Sequence, residues 1–366
     1  MQKLPSAIFV VFLTLFVLNT KCAKILVLHP LHGGSHKLQM QVLSKHLIGH
    51  GHQVTTLSFQ NVGDVTELET NNITNYILTV DNSDGRYPYM TVESQGRFRF
   101  PVELLWKSGH NPHYLPLNAF KMTEALCRAL LENEQLLGTL RQEKFDLAIV
   151  DVISNECGLA FAYQAGISST IAYWALFPVN GEMDYIGSFL PPSFVPTFLS
   201  QLSERMSFME RLYNTYLRLG GSLVMEFQFH LTHKYIQEYF PKTPHPKELI
   251  ANLSGVLINS DFSLDYPKLL PPNAVNVGCM QCRDPLPLPK DLEDFMESSG
   301  EFGVVIFSMG ASFDAAVAKN LVPKLFDAFS RLQQNVLVKI GTQAFFNVPS
   351  NVKLVQWFPQ QDVLGK

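Results

Sequence analysis

Residues 24–28, KILVL, form an apolar run, and residues 32–40, HGGSHKLQM, follow it after a short turn. The apolar run predicts a buried strand. Residues 35–50 have the spacing of a helix, which ends before Gly51, where a left-handed C-terminal residue is usual. The stretch therefore predicts a strand–turn–helix unit that places His36 where the strand gives way to the helix.

The same alternation continues along the first half of the chain. Further strands are predicted at residues 54–58, 76–80, 145–150 and 169–174, and a further helix at residues 117–140. Strands that alternate with helices are typical of strand–helix–strand units in a parallel sheet. The sequence thus predicts an α/β fold that begins with a doubly wound domain.

A second unit follows the proline-spaced stretch DPLPLP at residues 284–289, which indicates an interdomain linker. Beyond it we predict helices at residues 290–297 and 318–332, and strands at residues 303–308, 335–340 and 353–357. These elements amount to half of an α/β domain, and so short a unit buries a low fraction of its surface. We therefore expect the second domain to be incomplete in this sequence.

Composition narrows the classes of function. The chain has 366 residues, of which 46% are hydrophobic and 16% charged, with 27 phenylalanines and a net charge of −4. At ~100–200 residues a domain, this length predicts about two domains. The charge gives no reason to expect a nucleic-acid partner.

The N-terminal residues 1–23 carry Lys3, an apolar run and then small residues, which is typical of a secretory signal peptide. The alternative is a retained signal anchor, although the run is shorter than the ~20 residues of a spanning helix. Entry into the secretory pathway would make the sequons at Asn72 and Asn252 candidate glycosylation sites.

Four cysteines remain after that cleavage, so no dense disulfide framework is expected. Cys279 and Cys282 have the spacing of half a zinc site or a redox pair, but no second pair or nearby histidine completes a metal shell, which favours a structural role. Residues 187–219 are rich in Phe, Pro and Met, and their second half predicts an amphipathic helix. That helix could line an acceptor pocket, lie on a membrane or belong to the core.

His36 is the first candidate catalytic residue, because ligands bind at the carboxyl edge of an open parallel sheet. Asp151 ends another predicted strand, FDLAIVD, so the two side chains could meet at that edge. A histidine held by a carboxylate can take a proton from a hydroxyl group. The alternatives are a structural histidine in a histidine-rich turn, and an Asp151 that caps the following helix. The first turn lacks the GxGxxG pattern of nicotinamide enzymes.

Several stretches, in this order, resemble the UDP-glycosyltransferase family, the glucuronosyl- and glucosyltransferases of the animal endoplasmic reticulum. They are AKILVL, GGSHKLQM, FDLAIVD, PPSFVPTFLSQLSERMSFMERLYN, INSDFSLDYPKLLPPNAVNVG, FGVVIFSMGAS and VKLVQWFPQQDVL. The resemblance covers essentially the whole chain.

The resemblance implies two Rossmann-like domains of the inverting nucleotide-sugar glycosyltransferase type, with the second one incomplete. Residues 24–283 would bind the acceptor, 284–291 would be the linker, and 292–366 would be part of the UDP-sugar-binding domain. His36 would be the catalytic base and Asp151 its partner. UDP-glucuronate or UDP-glucose would be the co-substrate, with no metal or separate cofactor.

On the donor side, the resemblance carries over five positions. Ser308 would face the diphosphate, and the turn at Gly310 could offer backbone amides to it. Trp357 would stack on uracil, while the Phe358 backbone and Gln360 would help to hold the nucleoside. Without the resemblance, Trp357 would be interpreted as a core aromatic residue.

Two functions remain as hypotheses. One is a transferase that glycosylates small lipophilic acceptors on the lumenal side of the endoplasmic reticulum, membrane-bound if a C-terminal helix exists. The other is an inactive acceptor-binding or regulatory subunit that pairs with complete transferases. Membrane association, and homo- or hetero-oligomers with other transferases, are compatible with both. The choice of sugar and acceptor is left open.

Overall fold

The computed structural model of the chain describes residues 22–29, 34–61, 73–80, 115–153, 155–176, 183–198, 200–310, 321–340 and 347–366. Most of the predicted signal peptide and the sequon at Asn72 lie outside these residues, as does the first part of the predicted helix 318–332.

The N-terminal part is built on a seven-stranded sheet with the order β3-β2-β1-β4-β5-β6-β7. Its strands are β1 (Lys24–His29), β2 (Gln53–Asn61), β3 (Thr74–Val80), β4 (Leu147–Asp151), β5 (Thr170–Trp174), β6 (Gly255–Ile258) and β7 (Ala274–Asn276). All neighbouring strands are parallel. The carboxyl ends of the strands therefore share one edge, as the sequence predicted.

Helices cover both faces of this sheet. They are α1 (Gly34–Gly49), α2 (Leu115–Leu131), α3 (Glu134–Glu143), α4 (Glu156–Gln164), α5 (Phe208–Tyr239) and α6 (Pro246–Ala251). The prediction of a single helix over residues 117–140 is wrong. The first helix ends at Leu131, and Asn133 caps α3 by accepting a 2.9 Å hydrogen bond from the Leu136 amide. A side chain that satisfies a free amide in this way begins a new helix.

Two apolar layers hold the sheet between the helices. On one face, Met40 and Leu43 of α1 pack against a cluster that includes Ile25, Ile149 and Tyr173. On the other face, a larger cluster joins the strands to residues of α2, α3, α4 and α5. Burial on both faces explains why the strands are nearly continuous apolar runs.

The Phe- and Met-rich stretch contains the start of α5, which runs for 32 residues. Ser207 and Glu210 form a capping box at its N-terminus, each bonding the other's backbone amide. The helix places Phe229 and Ile236 in the core and leaves Phe208 exposed. Of the helices in the described ranges, none combines the length and the apolarity needed to cross a bilayer.

The C-terminal part has a smaller parallel sheet with the order β10-β9-β8. Its elements are α7 (Lys290–Glu297), β8 (Val304–Ser308), α8 (Val322–Phe329), β9 (Asn335–Lys339), β10 (Val352–Leu354) and α9 (Gln360–Leu364). The strand predicted at residues 353–357 is shorter than expected, because pairing with β9 stops at Leu354. Two parallel α/β units confirm the predicted fold class.

Two disulfides join the four cysteines that follow the predicted signal peptide. Cys127–Cys157 links α2 to α4, and Cys279–Cys282 closes a short loop after β7. The bond between Cys279 and Cys282 fits a structural role and a redox pair equally, whereas the bond between Cys127 and Cys157 was not predicted. It lies in an apolar cluster between the two helices.

Candidate active site

His36 lies in the first turn of α1, beyond the carboxyl end of β1. Its Nδ1 is 2.6 Å from Oδ2 of Asp151, although 115 positions separate the two residues. A contact this short is typical of a charge-assisted hydrogen bond. The predicted proximity of the two side chains is thus present in the structure.

Asp151 is the last residue of β4, which pairs directly with β1. Its Oδ1 accepts a 3.3 Å hydrogen bond from the Ile153 amide, and its backbone carbonyl accepts a 2.9 Å bond from the Asn155 side chain. Asn155 is the N-cap residue of α4. Asp151 therefore faces His36 instead of capping the helix, which removes one alternative interpretation of this residue.

Burial sets the chemistry of the pair. The Asp151 side chain is fully buried, whereas the His36 side chain keeps 13% of its surface exposed. A carboxylate can only accept a hydrogen bond, so it holds the proton on Nδ1 and leaves the lone pair on Nε2. The arrangement can receive a proton at Nε2 and stabilise the resulting charge through Nδ1.

Two further polar residues at this edge were missed by sequence reasoning. The Tyr173 hydroxyl donates a 2.6 Å hydrogen bond to Oε1 of Gln39, and both side chains are buried. Burial raises the pKa of Tyr173 well above its ordinary value, and the charge of Asp151 raises it further. The hydroxyl therefore stays protonated and remains a donor. The spacing of Gln39 three residues after His36 was the signal that could have found it.

Of the residues predicted to contact the donor, Ser308 is the last residue of β8 and is half-buried. Its Oγ accepts a 3.3 Å hydrogen bond from the Gly310 amide. Gly310 has φ +83°, a left-handed conformation that favours glycine. The turn has the strand-to-loop form that was predicted for a phosphate contact.

Trp357 follows β10 and has 64% of its surface exposed. The interpretation of this residue as a core aromatic is therefore wrong. Phe358, in contrast, is buried with Leu292 and Leu337, while Gln360 begins α9 and is exposed. The buried phenylalanine fixes the backbone between two exposed side chains.

An ion pair that was not predicted holds α9 in place. Arg283 makes two hydrogen bonds to the carboxylate of Asp362, at 2.6 and 3.1 Å, and the Leu286 amide donates a third at 2.8 Å. The bond from Arg283 lowers the pKa of Asp362. Because Arg283 precedes the predicted linker and Leu286 lies within it, these bonds attach that segment to the helix that carries Gln360.

The predicted residues thus form two groups. His36 and Asp151 contact each other, and Ser308 contacts Gly310. In the ranges that the structure describes, no hydrogen bond or ion pair joins the first group to the second. Over the same ranges, no three His, Cys, Asp or Glu side chains are grouped as a metal ion would require.

Known proteins are similar to this chain over most of its length. Human UDP-glucuronosyltransferase 2B15 is 27% identical over 99% of this chain and 68% of its own length. A variant of Os79 from O. sativa, solved in complex with UDP, has a TM-score of 0.54 and 15% identity over 93% of this chain and 74% of that one. Phytolacca americana UGT2, complexed with UDP-2fluoro-glucose and pterostilbene, has a TM-score of 0.53 and 14% identity, covering 92% and 72%.

The two solved structures are similar to this chain in fold alone, since their sequence identities are low. The family evidence comes from the sequence, because the model described as "UDP-glucoronosyl and UDP-glucosyl transferase" matches residues 23–366. This chain therefore belongs to the family of UDP-glucuronosyl and UDP-glucosyl transferases.

Proposed function

We propose that this chain takes part in the transfer of a glucuronosyl or other hexosyl group from a UDP-sugar to a hydroxyl of a small lipophilic acceptor, with inversion at the anomeric carbon. His36 is the general base and Asp151 is its partner. The observation that carries the proposal is the 2.6 Å contact between a fully buried carboxylate and a partly exposed imidazole.

In the proposed step, Nε2 of His36 takes the acceptor's hydroxyl proton as the acceptor oxygen forms a bond to the anomeric carbon. The bond from that carbon to the diphosphate oxygen breaks, and UDP leaves with the electron pair. Attack from the face opposite to the leaving group inverts the configuration. Asp151 stabilises the imidazolium, which carries the proton away from the acceptor.

The donor would bind at the carboxyl edge of the smaller sheet. Ser308 and the Gly310 amide would face the diphosphate, because a turn of this kind presents backbone N–H groups to anions. The exposed ring of Trp357 would stack on uracil, and Gln360 with the Phe358 backbone would hold the nucleoside. The complexes of Os79 with UDP and of UGT2 with UDP-2fluoro-glucose support a nucleotide-sugar donor.

We also propose that the protein acts on the lumenal side of the endoplasmic reticulum. The predicted signal peptide and the two disulfides support this, because disulfides persist in oxidising compartments. Asn252 of the second sequon is exposed at the end of α6. Expression in secretory cells should give a protein whose mass falls on glycosidase treatment, and Asn252→Gln should reduce that fall.

The base is tested by the ionisation of a bound phenol, which needs only the acceptor side. 4-Nitrophenol changes its visible absorbance when it loses its proton, so its apparent pKa can be measured at saturating protein. We expect the apparent pKa of bound 4-nitrophenol to be lower than that of free 4-nitrophenol by about one pKa unit or more. His36→Ala should abolish this shift.

His46→Ala is the matched control, because His46 lies on the same helix with its side chain exposed. It should leave the shift intact. A wild-type protein that binds the phenol without changing its ionisation, or a His36→Ala protein that keeps the shift, would refute the role of His36 as the base.

A further inference from the structure

We infer that Tyr173 and Gln39 are positioning residues for His36. Their hydrogen bond attaches α1 to the strand ends beside the contact of His36 with Asp151, and it sets the angle at which His36 meets Asp151. This inference rests on the proposed role of His36 as the base.

The argument begins with the register of the sheet. Asp151 of β4 is paired with Tyr173 of β5, so in parallel strands their side chains lie side by side on the same face. On α1, His36 and Gln39 are three residues apart and therefore lie on one side of the helix. Two neighbouring side chains of the helix thus lie opposite two neighbouring side chains of the sheet.

In both of these pairs, the helix residue and the sheet residue are joined by a hydrogen bond of the same length. His36 Nδ1 is 2.6 Å from Asp151, and the Tyr173 hydroxyl is 2.6 Å from Gln39 Oε1. With the bond of His36 alone, only the apolar packing of α1 would resist rotation of its first turns about that contact. A second bond one turn further along fixes both the rotation of the helix and its position along its axis.

Burial stabilises the hydrogen bond between Tyr173 and Gln39. Tyr173 is fully buried and Gln39 is 5% exposed. The Tyr173 ring packs in the same apolar cluster as Met40 and Leu43 of α1. A buried polar group that loses its partner is costly, so neither side chain can leave this bond without disturbing the packing of α1.

The experiment observes His36 directly. In ¹⁵N-histidine-labelled protein, a carboxylate protects the Nδ1 proton from exchange, and His36→Ala assigns this signal. Tyr173→Phe removes the hydroxyl, and the double variant Tyr173→Phe with Gln39→Leu removes both polar groups, so that no buried amide is left unpaired. We expect the His36 signal to be lost or broadened in both variants. The ionisation constant of bound 4-nitrophenol should fall by about tenfold or more in both.

Ser188→Ala is the matched control, because Ser188 is a buried hydroxyl that donates to the Leu269 carbonyl. It should lower the melting temperature without changing the His36 signal. If the double variant is folded and keeps the wild-type His36 signal, then Tyr173 and Gln39 only fill the core, and the inference is wrong.

The two proposals can fail separately. If wild-type protein shows the protected Nδ1 proton and the variants lose it, the positioning role stands even when phenol ionisation is absent in all of them. That absence would overturn the proposed base instead.

Discussion

The disulfide between Cys127 and Cys157 gives a prediction whose size follows from the structure. Cys157 lies in the first turn of α4, two residues after Asn155, whose side chain bonds to the carbonyl of Asp151. The disulfide therefore anchors the segment that follows the candidate catalytic carboxylate. The perturbation is the double variant Cys127→Ala with Cys157→Ala.

The magnitude comes from the loop that the bond closes. The two cysteines are 30 positions apart. For a loop of this length, the chain-entropy relation says that the disulfide lowers the entropy of the unfolded state by about 12 cal/mol/K. The double variant should therefore lose about 3.6 kcal/mol of its free energy of unfolding at room temperature. Such a loss is a large fraction of the ~5–15 kcal/mol that stabilises a typical domain.

The assay is equilibrium unfolding in urea, with the free energy of unfolding in water obtained for each variant from its own m-value, which should rise when the unfolded chain is no longer cross-linked. The control is Cys279→Ala with Cys282→Ala, whose bond closes a loop of only three positions. That control should lose less stability, because loop-closure entropy grows with loop length. If the Cys127 and Cys157 variant loses under about 1 kcal/mol, or no more than the control, the reasoning from loop entropy fails.

Asp151→Asn keeps the size of the side chain but removes its charge, so glycosyl transfer to a phenolic acceptor should fall by about 10²-fold or more; an unchanged kcat would contradict the role of Asp151. Trp357→Ala should weaken UDP binding by about 5- to 150-fold in calorimetry, the worth of stacking one base, while Phe302→Ala, another exposed aromatic residue, should not. The neighbouring rings of His233 and His245, tilted by 49° with their centroids 4.6 Å apart, give a pH dependence. Burial is the main cause that lowers the pKa of both side chains, and Glu248 opposes the shift in both. The charge of His230 adds to the shift of the His233 pKa, while those of His233 and Lys247 add to the shift of the His245 pKa and that of Glu226 opposes it. The unfolded chain therefore binds protons first, and the melting temperature should fall as the pH drops below about 6.5. His233→Gln with His245→Asn should flatten that slope.

The sequence predicts the sheet because its strands are buried on both faces. An apolar run such as residues 145–150, with helical segments on either side, fits a buried strand better than a loop or a surface helix. Strands β6 and β7 were not predicted, since they have four and three residues. Runs that short do not differ from loop sequence, and only the pairing of β6 with β5 and of β7 with β6 makes them strands.

The same limit applies to the site. Two strand ends at one edge were enough to predict that His36 and Asp151 would meet. The position of Gln39 beside His36 follows from their helical spacing, but its bond to Tyr173 was not predictable, because Tyr173 comes next to Asp151 only through the register between β4 and β5. Trp357 shows the opposite case, because only the family resemblance suggested an exposed ring there, and the structure leaves that ring exposed.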